Sequence, residues 1–118
     1  MADHNEKGRE GELLAADFIR KKGYRIVKSN WRYKQKEIDI IAYDEDELVI
    51  VEVKLRSTDY FGDPSEAVTK KKQRYLIEAA EAYLNTIGEA PEVRFDIISI
   101  IASGNKYEYD HITDAFNP

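Results

Sequence analysis

The chain has 118 residues, 42% hydrophobic and 35% charged, with a formal net charge of −5. This describes one folded domain over 1–118 with a core of its own and excludes a disordered chain. The absence of cysteine excludes disulfides, zinc–thiolate sites and thiol catalysis, and no apolar run approaches the ~20 residues of a membrane span.

The polar, acidic opening MADHNEKGREGE reads as neither a secretory signal nor a transit peptide, so the expectation is a cytoplasmic protein with no membrane partner. Asn5 to Lys22 reads as a helix closed by Gly23, with Arg20, Lys21 and Lys22 in its last turn, where they suit the dipole. Leu14 and Phe18 mark an apolar stripe. Beside it runs a stripe of small residues, Gly8, Ala15 and Ala16 with Ile19, carrying one carboxylate, Glu12. YRIVKSNW alternates with period two and reads as a strand. Glu37–Tyr43 and Leu48–Leu55 form a hairpin around the solvated tip Asp44-Glu45-Asp46-Glu47. In STDYFGDPSE a loop ends in a helix start, with Asp63, Pro64 and Glu66 in capping order and Thr69 as an alternative cap. The second helix runs to about Gly88 and turns Leu76, Ala79, Ala80, Tyr83 and Ile87 to the core. Glu92–Ile101 is a fourth strand and Lys106–Ile112 a fifth, at an edge. The order α-β-β-β-α-β-β predicts an α/β fold, a mixed sheet flanked by helices.

Charge is segregated along the chain. Arg20 to Lys36 holds eight basic residues and no acid, and KKKQR at Lys70–Arg74 is a second basic run. Such segregation permits a positive surface on an acidic protein, although solvated faces explain the same runs.

The hairpin raises the sharper question, because Glu37, Asp39, Glu52 and Lys54 interrupt its apolar runs. With an even loop centred on Glu45–Asp46, opposed residues sum to ninety-one. Asp39 then faces Glu52 and Glu37 faces Lys54, all on one face toward the first helix, with Ile38, Ile40, Val51 and Val53 on the other. Two opposed carboxylates repel, so either one holds a proton or a cation bridges them. A Glu37–Lys54 ion pair, with the other acids reaching water, is the structural alternative. A hard divalent cation, Mg²⁺ or Mn²⁺, is the economical answer, with Lys54 beside its waters and Glu12 approaching from the helix. Lys72 and Gln73 share the inward face of the second helix and could meet a phosphate or simply cover the sheet edge. Trp31, Tyr33 and Tyr60-Phe61 could stack on bases, Trp31 fitting the core better. Arg94 and Asp96 read as a structural pair, and His4 and His111 as isolated.

The constellation Glu12, Asp39 and Glu52-Val53-Lys54 resembles the PD-(D/E)xK nuclease superfamily, with its restriction-endonuclease-like core and its archaeal Holliday-junction resolvases. More narrowly, GREGELLAADFIRKKGYRIVKSNWR, EIDIIAYDEDELVIVEVKLRS, FGDPSEAVTKKKQRYL and AAEAYL resemble the YraN-like family of small bacterial proteins over nearly the whole chain. The resemblance implies metal binding by Asp39, Glu52 and Glu12, with the Val53 carbonyl as a further ligand and Lys54 as the catalytic lysine. Glu37 matches the family's Glu-Ile-Asp pattern, and Lys72 and Gln73 match a polar pair at the start of the second helix. Lys36 departs from the family's Gly before Glu-Ile-Asp.

These readings lead to a Mg²⁺- or Mn²⁺-dependent nuclease that hydrolyses DNA phosphodiesters, branched DNA included. Lys72, Gln73, Arg56, Lys36 and Arg32 are the candidate nucleic-acid contacts. The alternatives are a non-catalytic nucleic-acid-binding module and a protein-interaction module with a vestigial site. Oligomeric state is left open, a homodimer included.

Overall fold

The computed structural model describes residues 2–57 and 68–118, with side chains in the first helix from Gly8 onward. Helix α1 spans Ala2–Lys21. Its end is set by Gly23 at φ +95°, whose N–H donates to Arg20 O while the Tyr24 N–H reaches back to Ile19 O. This paired closure needs a left-handed residue after the helix, which glycine adopts without steric cost. Helix α2 spans Lys70–Ile87. Thr69 is its cap, with Oγ1 accepting the Lys72 N–H at 3.2 Å. Gly88 closes the other end at φ +68°. The earlier start at Asp63–Glu66 lies outside the described residues, as do Tyr60 and Phe61.

Five strands form one sheet in the order β1-β2-β3-β4-β5: Arg25–Tyr33, Lys36–Asp44, Glu47–Ser57, Val93–Ser103 and Lys106–Phe116. The β3–β4 pair is parallel and the other three are antiparallel. The parallel pair follows from the crossover through α2, and the mixed α/β order is the one the sequence predicts. Strand β5 runs four residues past the predicted Ile112. Its end is held by Phe116, which is buried and stacked on Phe95 at 4.9 Å.

Each helix covers one face of the sheet. Ala15, Ala16 and Ile19 of α1 pack on Ile40, Ala42, Val49, Val51, Ile98 and Ile100. Leu76, Ala79, Ala80 and Tyr83 of α2 pack on Ile38, Ile41, Leu48, Ile50, Phe95 and Ile97. Trp31 joins this second core, edge-on to Tyr83 at 5.3 Å. Gly11 lets α1 approach closely, since a Cβ there would stand 3.1 Å from Leu55 Cβ.

At the edge of the α1 layer the expected Arg94–Asp96 pair forms, at 2.9 Å. It is the centre of a larger network: Arg94 also binds Asp44, Glu47 and the Tyr24 hydroxyl. His111 is not isolated. Its Nε2 lies 2.8 Å from Asp96 Oδ2 and its Nδ1 2.9 Å from Lys22 Nζ. Strand β5 pairs with β4, and that pairing carries an imidazole from a polar-looking edge strand to a buried carboxylate.

Candidate functional site

Strands β2 and β3 hold the ninety-one register through five pairs, from Asp44↔Glu47 to Ile40↔Val51. There the ladder ends, although β2 continues back to Lys36 along β1 and β3 continues to Ser57 along β4. The sheet therefore forks in its middle. Backbone groups freed by the fork need new partners. Asp39 Oδ2 accepts the Val53 N–H at 2.8 Å. The Tyr75 hydroxyl of α2 accepts the Glu37 N–H at 2.5 Å and donates to Gln35 O at 3.4 Å.

The fork corrects the single-face expectation. Ile38 packs in the α2 core, whereas Ile40 and Val51 pack in the α1 core, so the two-residue alternation breaks between Ile38 and Ile40. Asp39 stands at that break and turns toward Glu12. Glu52 and Lys54 follow the alternation of Leu48 and Ile50 from the other side. The carboxylates meet through the opening, not across a shared face. Opposite Asp39, between the pairs Ser29↔Ile40 and Trp31↔Ile38, stands Asn30 at φ +53°. A non-glycine residue in left-handed conformation within a strand is uncommon, and asparagine tolerates it better than most.

Glu12, Glu37 and Asp39 offer oxygens within 4.8 Å of one another. Glu52, only 4% exposed, lies beside them. Its Oε2 is 3.5 Å from Lys54 Nζ and 3.8 Å from Lys72 Nζ. Its Oε1 is buried with no hydrogen-bond partner among the described residues. Burial, then the Glu52 charge, pushes the Asp39 carboxyl up to about 8 against the Val53 N–H, which lowers it. In its protonated form Asp39 can donate to Glu52; ionised, it leaves Oε1 without a donor. Burial also raises Glu12, opposed by a hydrogen bond with Asn30 and aided by Glu37 and Glu52. Oxygen-only donors, reluctant ionisation and an orphaned buried oxygen form a set that suits a hard divalent cation.

The alternative ion pair between Glu37 and Lys54 does not form: Glu37 pairs with Arg32 at 3.1 Å, and Lys54 pairs with Glu52. A cleft of about 610 Å³ gathers Glu12, Glu37, Asp39, Glu52, Val53 and Lys54, with Arg32 on its wall. The other candidates stand apart from its lining. Lys72 reaches Glu52 from α2, its ammonium over the Tyr75 ring at 4.2 Å. Gln73 donates to Val68 O at 3.3 Å, Lys36 pairs with Glu78 at 3.4 Å, and Arg56 lies beside Ile101 of β4. Tyr75 and Asn30 are the residues that sequence reasoning passes over. The signal for Tyr75 is its spacing of three from Lys72 on the inward helix face. Asn30 gives no signal of its own, because it lies among the polar residues Lys28, Ser29 and Arg32 of β1.

Comparison with known proteins places this geometry in a family. The pattern described as "Uncharacterised protein family UPF0102" matches residues 11–100, which include every residue of the acidic cluster. A UPF0102 protein of Flavobacterium johnsoniae is 47% identical, with 98% of each chain covered. One from Phocaeicola vulgatus is 44% identical over all of this chain and 98% of its own. One from Chlorobium phaeobacteroides is 43% identical over 98% of this chain and 96% of its own. The chain belongs to the UPF0102 family, the YraN-like proteins.

Proposed function

We propose that the fork is the active site of a divalent-cation-dependent nuclease that hydrolyses DNA phosphodiesters, branched DNA included, within the PD-(D/E)xK superfamily that the chain resembles. One observation carries this reading: acids from α1, β2 and β3 converge at an opening in the sheet, with Lys54 in contact with one of them. Binding nucleic acid alone would not favour such converging negative charge.

Glu12, Glu37 and Asp39 would hold Mg²⁺ or Mn²⁺, with Glu52 alongside. A bound cation of this kind lowers the pKa of water and offsets charge on a phosphate. Glu52, whose buried Oε1 has no hydrogen-bond partner among the described residues, would add its charge to the acidic set beside the cation. Lys54 is anchored on Glu52 and half-buried, so its ammonium can meet a phosphate oxygen in a low-dielectric setting. Lys72 supplies a second positive charge to Glu52 from the opposite layer.

The test is a Mn²⁺-dependent cleavage screen over branched, nicked, duplex and single-stranded DNA. Asp39→Ala should abolish cleavage, and Lys54→Met should lower it about 100-fold, as for loss of one electrostatic stabiliser. A folded wild type that cleaves none of these would overturn the reading in favour of a binding module.

A further inference from the structure

The cleft wall formed by α1 carries residues that the acidic cluster does not explain. Arg9, Leu13, Ala16 and Arg20 all line it. The two arginines are eleven positions apart, which at 100° per residue brings them back to within ~20° of one helix face. The residues between them at +4 and +7 fall on that same stripe. Leu13 is 64% exposed, well above the next large hydrophobic side chain among the described residues, Tyr107 at 38%.

The charges of α1 sharpen the point. Asp17 is taken by Lys21 at 3.1 Å, and Glu10 accepts the Tyr107 hydroxyl at 2.6 Å. Glu12 belongs to the acidic cluster. No ion pair among the described residues engages Arg9 or Arg20. The helix dipole accounts for a cation in the last turn, but Lys21, on another face, serves that purpose. Two guanidinium groups are thus left bracketing an apolar side chain, on the wall of a cleft whose floor is negative.

We propose that the exposed Arg9–Leu13–Arg20 stripe of α1 is a docking rail for the phosphate backbone of nucleic acid, with Arg9 and Arg20 each holding a phosphate. This rests on the nuclease reading of the cleft and adds the surface that brings the strand to it. The arginines lie about 16 Å apart along the helix axis at 1.5 Å per residue. That distance is long enough for the two guanidinium groups to hold separate phosphates of one strand, with Leu13 against the sugars between. Guanidinium forks suit phosphate oxygens. Anchoring the strand on both sides of the acids overcomes the repulsion that the acids alone would exert on it.

The experiment measures affinity for a labelled duplex and a labelled single strand in chelator, over about 50 to 200 mM salt. Proteins compared are the wild type, Arg9→Gln/Arg20→Gln, Arg9→Lys/Arg20→Lys, and Lys71→Gln/Arg74→Gln on α2. The α1 glutamine pair should lose about 1.8 from the log–log salt slope on duplex, or about 1.4 on the single strand. The lysine pair should keep the slope. All three variants should melt with the wild type, because the substituted side chains are exposed. A wild type that binds, with an unchanged slope in the α1 glutamine pair, would overturn the rail and leave the nuclease reading standing. A wild type that binds neither probe in chelator would also overturn the rail, while the nuclease reading is decided separately by the Mn²⁺-dependent cleavage screen.

Discussion

Asp39 accepts a backbone N–H, faces other carboxyls and stands where a strand pair opens; its carboxyl is pushed up to about 8, mainly by burial. The linkage has a definite sign. Between its ordinary value of 3.8 and about 8, the native state holds a proton that the unfolded chain has released. The contribution of Asp39 to stability in chelator is therefore full below pH 4 and declines as pH rises toward 8. Asp39→Asn keeps an acceptor for Val53 and cannot ionise. By calorimetry in chelator it should match the wild type near pH 4 and melt progressively higher than the wild type as pH rises toward 8.5. A pH-independent difference between the two would refute the raised value. The paired carboxylates themselves are legible in the sequence, because Asp39 and Glu52 interrupt apolar runs at matched distances from an even turn. The side each takes is not legible, since it depends on the Val53 N–H and on Asn30 across the sheet.

Among the elements, α2 is the one whose role at the site is least visible in advance. Its core face is plain from Leu76, Ala79, Ala80 and Tyr83, whereas Tyr75 looks like an ordinary half-exposed aromatic. Its hydroxyl replaces a ladder bond that β3 no longer makes to β2. Tyr75→Phe should leave the Glu37 N–H without its partner and cost about 1–3 kcal/mol, the usual penalty for an orphaned buried donor. Urea unfolding measures this, and cleavage should fall as well, because Glu37 loses its backbone anchor. Unchanged stability would show that water satisfies the N–H. Strand identities and the β2–β3 register are readable from alternation and turn length. The end of β5 is not, because Phe116 is recruited by contact with Phe95, twenty-one residues earlier on β4, and not by a local pattern.

At the scale of the molecule, Arg94 and Asp96 together tie the β2–β3 turn, the α1–β1 connection, β4 and β5 into one polar corner. Burial alone raises Asp96, but hydrogen bonds from His111, Arg94 and the Asp114 N–H outweigh it and hold the carboxyl below its ordinary value. That stability is present above the unfolded pKa of ~3.9 and is lost as pH falls through the folded value. Arg94→Met should cost about 3–5 kcal/mol at neutral pH by stranding a buried carboxylate. In urea unfolding the gap to the wild type should narrow below pH 4; a gap that widens there would contradict the lowered value. The fork has a mechanical consequence at this scale. It divides the sheet into two leaves, β1–β2 and β3–β4–β5, hinged along the five residue pairs that end at the acidic turn. Glu37 and Asp39 belong to one leaf and Glu52 to the other. A cation gripped from both leaves would act as a clasp at the crotch of the fork, one residue past the last pair, and would stop the opening from spreading back into the paired segment.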